Sequence, residues 1–270
     1  MKDLNKNVVV ITGTSSGIGK CTAEHLARCG HIVYGTSRRP ESYPEPENFI
    51  MLKTDVRDEL SVKMAVEEII EKEGQIDVLI NNAGYGVGGA IENTGPETVK
   101  AQFDTNFFGA YNVLHYVLPQ MLRQGRGLII NMSSIGGVIG LPYQGIYSAS
   151  KFALEGLTEA LYKELLPRNI RVVMIEPGDF RTGFTASRQI VKALSGNDPL
   201  EASRTVIEKD EQSGRPPKKV AMLIERIIKK KHPRLRYSIG AFDQKLSVFL
   251  KKILPGRCFD SIIMKYYKVK

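Results

Sequence analysis

Asn7-Val-Val-Val-Ile-Thr12-Gly13-Thr-Ser-Ser-Gly17-Ile-Gly19 is the stretch that decides the fold. Its first part is a short β-branched run, the pattern of a strand buried on both faces. Gly13 permits a tight turn, and Gly17 lets the backbone come close to a bound group. From residue 17 to 29, Ile18, Thr22, Leu26 and Cys29 recur near helical spacing, so a helix starts where the glycines end. A helix N-terminus offers N–H donors and positive dipole character to an anion. Strand, G-x-x-x-G-x-G turn and helix in that order make a pyrophosphate cradle, assigned to Gly13, Ser15, Ser16, Gly17, Ile18 and Gly19.

Outward from this unit, strands and helices alternate. Further strands are predicted at 31–36, 49–53, 76–81, 128–132, 171–176 and 235–239. Helices are predicted at 62–70, 96–122, 146–166 and 218–231, with Gly109 and Pro119 weakening the second of these. Residues 40–48 hold three prolines and read as loop. The alternation implies βαβ units, an α/β fold with a doubly wound, mostly parallel sheet and helices on both faces. No repeat or linker divides it, so residues 1–270 are read as one domain. Residues 184–215 lack periodicity and are rich in Ser, Asp and Glu, and a segment of that length suggests a substrate lid.

The chain has 270 residues and is 42% hydrophobic, an ordinary globular composition. Cys21, Cys29 and Cys258 show no metal-ligand spacing, so no metal is assigned; three scattered cysteines fit a reducing compartment. The first residues contain no apolar signal-peptide core, and no run reaches the ~20 residues of a membrane span. A cytoplasmic location is the expectation. The net charge is +9, but residues 229–270 carry twelve Lys or Arg against two acids. That +10 taken from +9 leaves the body near −1. Within the basic extension 241–270, Phe242, Leu246, Phe249, Leu250, Ile253 and Leu254 form an apolar stripe flanked by Lys245, Lys251 and Lys252. Docking onto the domain is the first reading of that helix and peripheral membrane contact the second. No recognition motif supports nucleic-acid binding.

The second strand ends Thr36-Ser37-Arg38-Arg39. An acid there would accept from an adenosine 2′-OH and repel a 2′-phosphate. Ser37 takes that place, and Arg38 can pair with a phosphate, which favours NADP(H) over NAD(H). Asp55, followed by Val56, is positioned to accept from the adenine amino group or to cap the next helix. Farther on, Tyr147-Ser-Ala-Ser-Lys151 places a phenol and an ammonium one helical turn apart. A nearby cation stabilises a phenolate, which fits Tyr147 for proton transfer to or from a substrate oxygen.

On these residues the chain resembles the short-chain dehydrogenase/reductase family, from Val8 to about Tyr237. The resemblance implies a Rossmann-type sheet of about seven strands. It implies roles for Asn82, Ala83 and Gly84 of Asn-Asn-Ala-Gly beside the cofactor, and for Pro177, Gly178 and Thr182 at the nicotinamide. It makes Asn106, Ser134, Tyr147 and Lys151 the catalytic set. Lys151 would hold the nicotinamide ribose and activate Tyr147, and Asn106 would hold a relay water. Homodimers or homotetramers, built through long helices, are also implied. Gly140 to Gly156 is similar to the branch of 17β-hydroxysteroid and retinol dehydrogenases.

The expected reaction interconverts a ketone and a secondary alcohol. Ser134, Val138, Leu141, Pro142, Tyr143, Tyr147 and Phe184 are the substrate-wall candidates, an apolar set without an evident arginine clamp. A steroid, a keto-lipid such as a ketosphingoid base, or a retinoid fits it. The alternatives are a reductase of small or carrier-bound ketones and a nucleotide sensor without turnover; a sensor has no need of the proton relay.

Overall fold

In the computed structural model, which describes residues 6–40, 48–184, 188–191 and 200–269, β1 (Val8–Thr12) builds both faces of the protein at once. Val8 and Val10 pack into one apolar cluster, Val9 and Ile11 into another, and all four are buried. Side chains alternate across a strand, so a run of four apolar residues feeds two cores. Each such buried side chain contributes about 1.5–3 kcal/mol.

Six strands join β1: β2 (Ile32–Ser37), β3 (Phe49–Lys53), β4 (Val78–Asn81), β6 (Gly127–Met132), β7 (Ile170–Pro177) and β9 (Arg236–Ile239). All are parallel, in the order β3-β2-β1-β4-β6-β7-β9. Between them, β5 (Val87–Gly88) and β8 (Gln189–Ile190) form a separate short pair. The strand order reverses between β1 and β4. In open α/β sheets, ligands bind beyond the C-terminal strand ends at that point.

One face is covered by α2 (Glu59–Glu73), α4 (Gly109–Gln124) and α5 (Gly145–Leu165), through Ile69, Val117, Met121 and Leu161 among others. The other is covered by α1 (Gly17–Arg28) and α7 (Lys218–Ile228), through Leu26, Val220, Ile224 and Ile227. The helix predicted over 96–122 is divided: α3 (Pro96–Phe103) passes through a π-helical turn, Asp104–Phe108, into α4, which keeps Pro119.

Three expectations change. Residues 184–215, read as unstructured, contain β8 and α6 (Leu200–Gln212); 185–187 and 192–199 lie outside the described residues, as do 41–47 of the proline-rich loop. The C-terminal extension holds two helices, α8 (Phe242–Ile253) and α9 (Gly256–Tyr266). They dock through Val248, Phe259 and Tyr267, which join Ile139, Leu141 and Ile207 in a third cluster. Phe242, Leu246, Phe249 and Ile253, expected to dock, face solvent; only Leu250 and Leu254 of that stripe pack inward. Finally, the cysteines lack ligand spacing in sequence, yet α7 brings Glu225 beside His25 and Cys29. His25 Nε2 lies 2.8 Å from Glu225, which also binds Lys229, and this reads as a hydrogen-bonded contact between α1 and α7.

Candidate active site

The C-terminal ends of β1, β2, β3, β4, β6 and β7 open into one cleft of about 1070 Å³. Its floor is the glycine turn. Gly13 has φ of +71°, and a Cβ on Gly19 would stand 2.2 Å from the Gly13 carbonyl oxygen. The turn is tied to β4 by Asn82, whose Nδ2 donates to the carbonyls of Thr12 and Gly13 (2.9 and 3.0 Å). Ser16 caps α1 without a side-chain bond to the first turn, leaving those N–H groups to a ligand. Gly13, Ser15, Ser16, Gly17, Ile18, Gly19, Asn82, Ala83 and Gly84 all line the cleft. The cradle therefore fits a pyrophosphate.

At the outer end, Ser37, Arg38, Asp55 and Val56 line the same cleft. Ser37 Oγ turns back to the main chain of Arg39, at 3.1 Å. Asp55 is gripped by Arg57, through Nε at 3.0 Å and Nη2 at 2.6 Å. That grip holds the Asp55 carboxyl below its usual range. It does not cap α2; Asp58 does, accepting from Leu60 and Ser61. Arg39 and Arg57, not singled out from sequence, join Arg38 in the lining. No acid ends β2, and the Asp55 carboxylate is paired with Arg57.

The candidate reacting groups sit where β6 meets α5. Tyr147 and Lys151 are on successive turns of α5, 8% and 5% exposed. Lys151 Nζ lies 6.0 Å from the Tyr147 ring centre and donates to the Met132 carbonyl at 2.8 Å. Burial pushes Lys151 down to about 8, opposed by Glu155 one turn on. Glu155 is buried too, which raises its carboxyl. Arg236 of β9 reaches Glu155 at 3.1 Å and Glu176 at 3.2 Å, and also binds Glu159. The cation of β9 thus supports α5 directly beneath Lys151.

Ser134 closes β6. Its Oγ accepts from Gly136 N (3.0 Å) and donates over 3.5 Å to the Pro177 carbonyl. Asn106 lies in the π-helical turn, 1% exposed. Its Oδ1 accepts from Tyr85 N at 3.0 Å, while Nδ2 donates to Tyr85 O (3.0 Å) and Ser150 Oγ (3.1 Å). Its side chain therefore braces the Gly84-Tyr85 turn against α5, and both Nδ2 hydrogens are engaged. A Cβ on Gly84 would reach 3.0 Å from Asn106 Oδ1 and 3.6 Å from Lys151 Nζ, so glycine keeps that space open.

Ser134, Tyr147, Lys151, Pro177, Gly178, Thr182, Leu141 and Phe184 share the cleft; Asn106 stands behind it. The Phe184 ring meets Tyr147 edge-on at 5.9 Å. Val138, Pro142 and Tyr143 are outside the lining. Val138 packs into the third cluster, and Tyr143 turns the chain at φ of +57° while its carbonyl accepts from Gly89 N. The cover comes instead from Arg188, Ile207, Asp210 and Tyr267, with Asp179 following Gly178. Arg188 stands 5.8 Å from the Phe184 ring. The expectation of a wall without arginine is therefore corrected. Its residues come from segments far apart in sequence, and no local pattern marks them.

Residues 7–192 match the family model for short chain dehydrogenase. The chain belongs to the short-chain dehydrogenase/reductase family. It is an oxidoreductase of carbonyl and alcohol groups. It is 46% identical over 274 residues to a 3-ketodihydrosphingosine reductase of Bacteroides thetaiotaomicron, covering 99% of this chain and 100% of the relative. Human 17-beta-hydroxysteroid dehydrogenase type 1 is 40% identical over 194 residues, 66% of this chain and 58% of that one. Among solved structures, a short-chain dehydrogenase from Streptomyces avermitilis superposes with a TM-score of 0.83 at 28% identity, covering 100% and 98% of the two chains. Among the described residues, no helix is long and apolar enough to cross a membrane.

Proposed function

We propose that this short-chain dehydrogenase/reductase is an NADP(H)-dependent reductase of a long-chain keto-lipid of the 3-keto sphingoid base class. The observation that carries the reading is the convergence of Ser134, Tyr147 and Lys151 on the cleft that begins at the glycine turn. Bound NADPH supplies a hydride to the ketone carbon. As charge develops on the substrate oxygen, Ser134 Oγ–H turns from its long contact with Pro177 to donate to it. Tyr147 Oη–H gives up its proton to complete the alcohol. Lys151, held at about 8, carries its charge at neutral pH. One of its three hydrogens is spent on Met132; the other two would remain for the nicotinamide ribose and for supporting Tyr147, whose ring centre is 6.0 Å away. Asn106 positions the Tyr85 turn and Ser150 around this pair.

The arginines at the outer end support a 2′-phosphate. Arg38, Arg39 and Arg57 line the cleft near Ser37, and guanidinium groups bind phosphate through paired charge-assisted bonds. The substrate class rests on Leu141, Phe184 and Ile207 for an alkyl chain, on the name of the 46%-identical relative, and on acids. A 3-keto sphingoid base carries an ammonium beside its ketone. Asp179 is two residues beyond Pro177, whose carbonyl touches Ser134, and Gln244 holds its carboxylate. It is the acid best placed to pair with that ammonium. Arg188 favours a second reading, an acid-bearing or carrier-bound ketone. The homodimer or homotetramer expectation finds support in Phe108, Tyr111 and Phe152 of the π turn, α4 and α5, all about half exposed.

NADPH oxidation with a 3-keto sphingoid base, its deaminated analogue, a 17-ketosteroid and a carrier-bound 3-ketoacyl chain tests the assignment. The base should show the highest kcat/KM. Asp179→Asn should raise its KM about tenfold, one charge-assisted bond, and leave the deaminated ketone unchanged. A preference for the steroid or the carrier-bound chain would overturn the substrate class.

A further inference from the structure

The basic run 229–270 is not one surface. β9 lies parallel to β7, from Met174↔Arg236 to Pro177↔Ile239. Lys229, Lys230, Lys231 and Arg234 therefore stand at the N-terminal end of the sheet, away from the cleft. Residues 242–269 follow the C-terminal end, where the cleft opens. They build α8 and α9, and these two helices have an inner and an outer side. Inward, Val248 and Phe259 are buried, and Tyr267 beyond α9 lines the cleft. Ser203 of α6 donates to the Tyr267 carbonyl at 2.6 Å, so the cover and the extension are joined.

Outward, Phe242, Leu246, Phe249 and Ile253 are 73%, 40%, 57% and 57% exposed. At 100° per residue they fall within about 60° of one another on α8. α9 and the residues after it add Ile262 and Val269, also exposed; Tyr266 instead turns its hydroxyl to Asp210 of α6, at 2.7 Å. Large apolar side chains exposed along one helix face mark a contact surface. The charges around it choose the partner. Residues 241–269 hold six Lys or Arg (Lys245, Lys251, Lys252, Arg257, Lys265, Lys268) against Asp243 and Asp260. An apolar strip with two aromatics, bordered by lysines, suits the headgroup boundary of an anionic bilayer. A second copy of this chain would bring the same positive border against itself.

We propose that the outer side of α8 and α9 docks this protein on anionic membranes, seating the rim of the cleft at the lipid surface. Docking needs only the outer residues and does not depend on which ketone is reduced.

Sedimentation of the full chain with sucrose-loaded vesicles tests this. Vesicles of phosphatidylcholine with about 30% phosphatidylserine should retain the protein, and pure phosphatidylcholine should not. Phe249→Glu with Ile253→Glu should abolish retention. Lys245→Gln with Lys252→Gln should weaken it about 25-fold, fivefold per lost charge. All four side chains are exposed, and unchanged NADPH binding will show that both variants fold. Failure of the wild type to bind anionic vesicles, or equal binding by the Glu variant, would overturn the proposal. So would a wild-type oligomer that binds no vesicles and dissociates in the Glu variant, since a second copy would then cover the strip. Vesicle binding is read without substrate, so its failure leaves the reductase reading standing, and the reverse holds.

Discussion

Replacing Lys151 by methionine keeps the side chain's length and removes its charge. Burial holds Lys151 at about 8 against an ordinary 10.5, a penalty of roughly 3 kcal/mol for the charged form. Opposing it is the bond to the Met132 carbonyl at 2.8 Å, worth about 1.5–3 kcal/mol from a charged donor. Methionine loses both, so the cofactor-free variant should be about 1 kcal/mol more stable than wild type near pH 7. Below pH 8 the lysine is charged in the folded and unfolded chains alike, and the difference is constant. Between 8 and 10.5 the folded protein releases the proton while the unfolded chain keeps it, so wild-type stability rises with pH. By about pH 9.5 the wild type regains about 2 kcal/mol and should exceed the variant by about 1 kcal/mol. Urea unfolding of both proteins at the two pH values, followed by circular dichroism, reads this crossing. A difference that stays the same at both pH values would refute the reasoning. The variant should be nearly inactive throughout, because the buried cation serves the reaction at the expense of the fold.

Arg38→Ala should weaken NADPH binding about 10- to 100-fold while NADH binding is unchanged, the loss of one guanidinium–phosphate contact; fluorescence titration with both nucleotides measures it. Gly19→Ala places a methyl 2.2 Å from the Gly13 carbonyl, so nucleotide binding should be lost in the same titration. Retained affinity would show that the turn yields.

Most of the sheet was legible because its strands other than β9 (Arg-Tyr-Ser-Ile) are short, largely apolar runs bounded by turn residues, and parallel strands covered on both faces need no other signal. Tyr147, Lys151, Ser134 and the glycine turn were legible because each lies in a local motif. What escaped depends on distance or on polar packing. α6 turns Ser203 and Ile207 inward, and a serine contributes nothing to an apolar period. α8 shows the reverse: most of its apolar stripe faces out, and Val248 with Leu250 packs inward. Arg188, Asp210 and Tyr267 over the cleft meet only after folding. The π-helical turn at Asp104–Phe108 carries no compositional mark that separates it from an α-helix.

Tyr147→Phe tests the central claim most directly. With NADPH and a 3-keto sphingoid base, the wild type should turn over and the variant should lose about 10²–10⁴-fold in kcat, with NADPH affinity within about threefold of wild type. Full turnover by the phenylalanine variant would contradict the account.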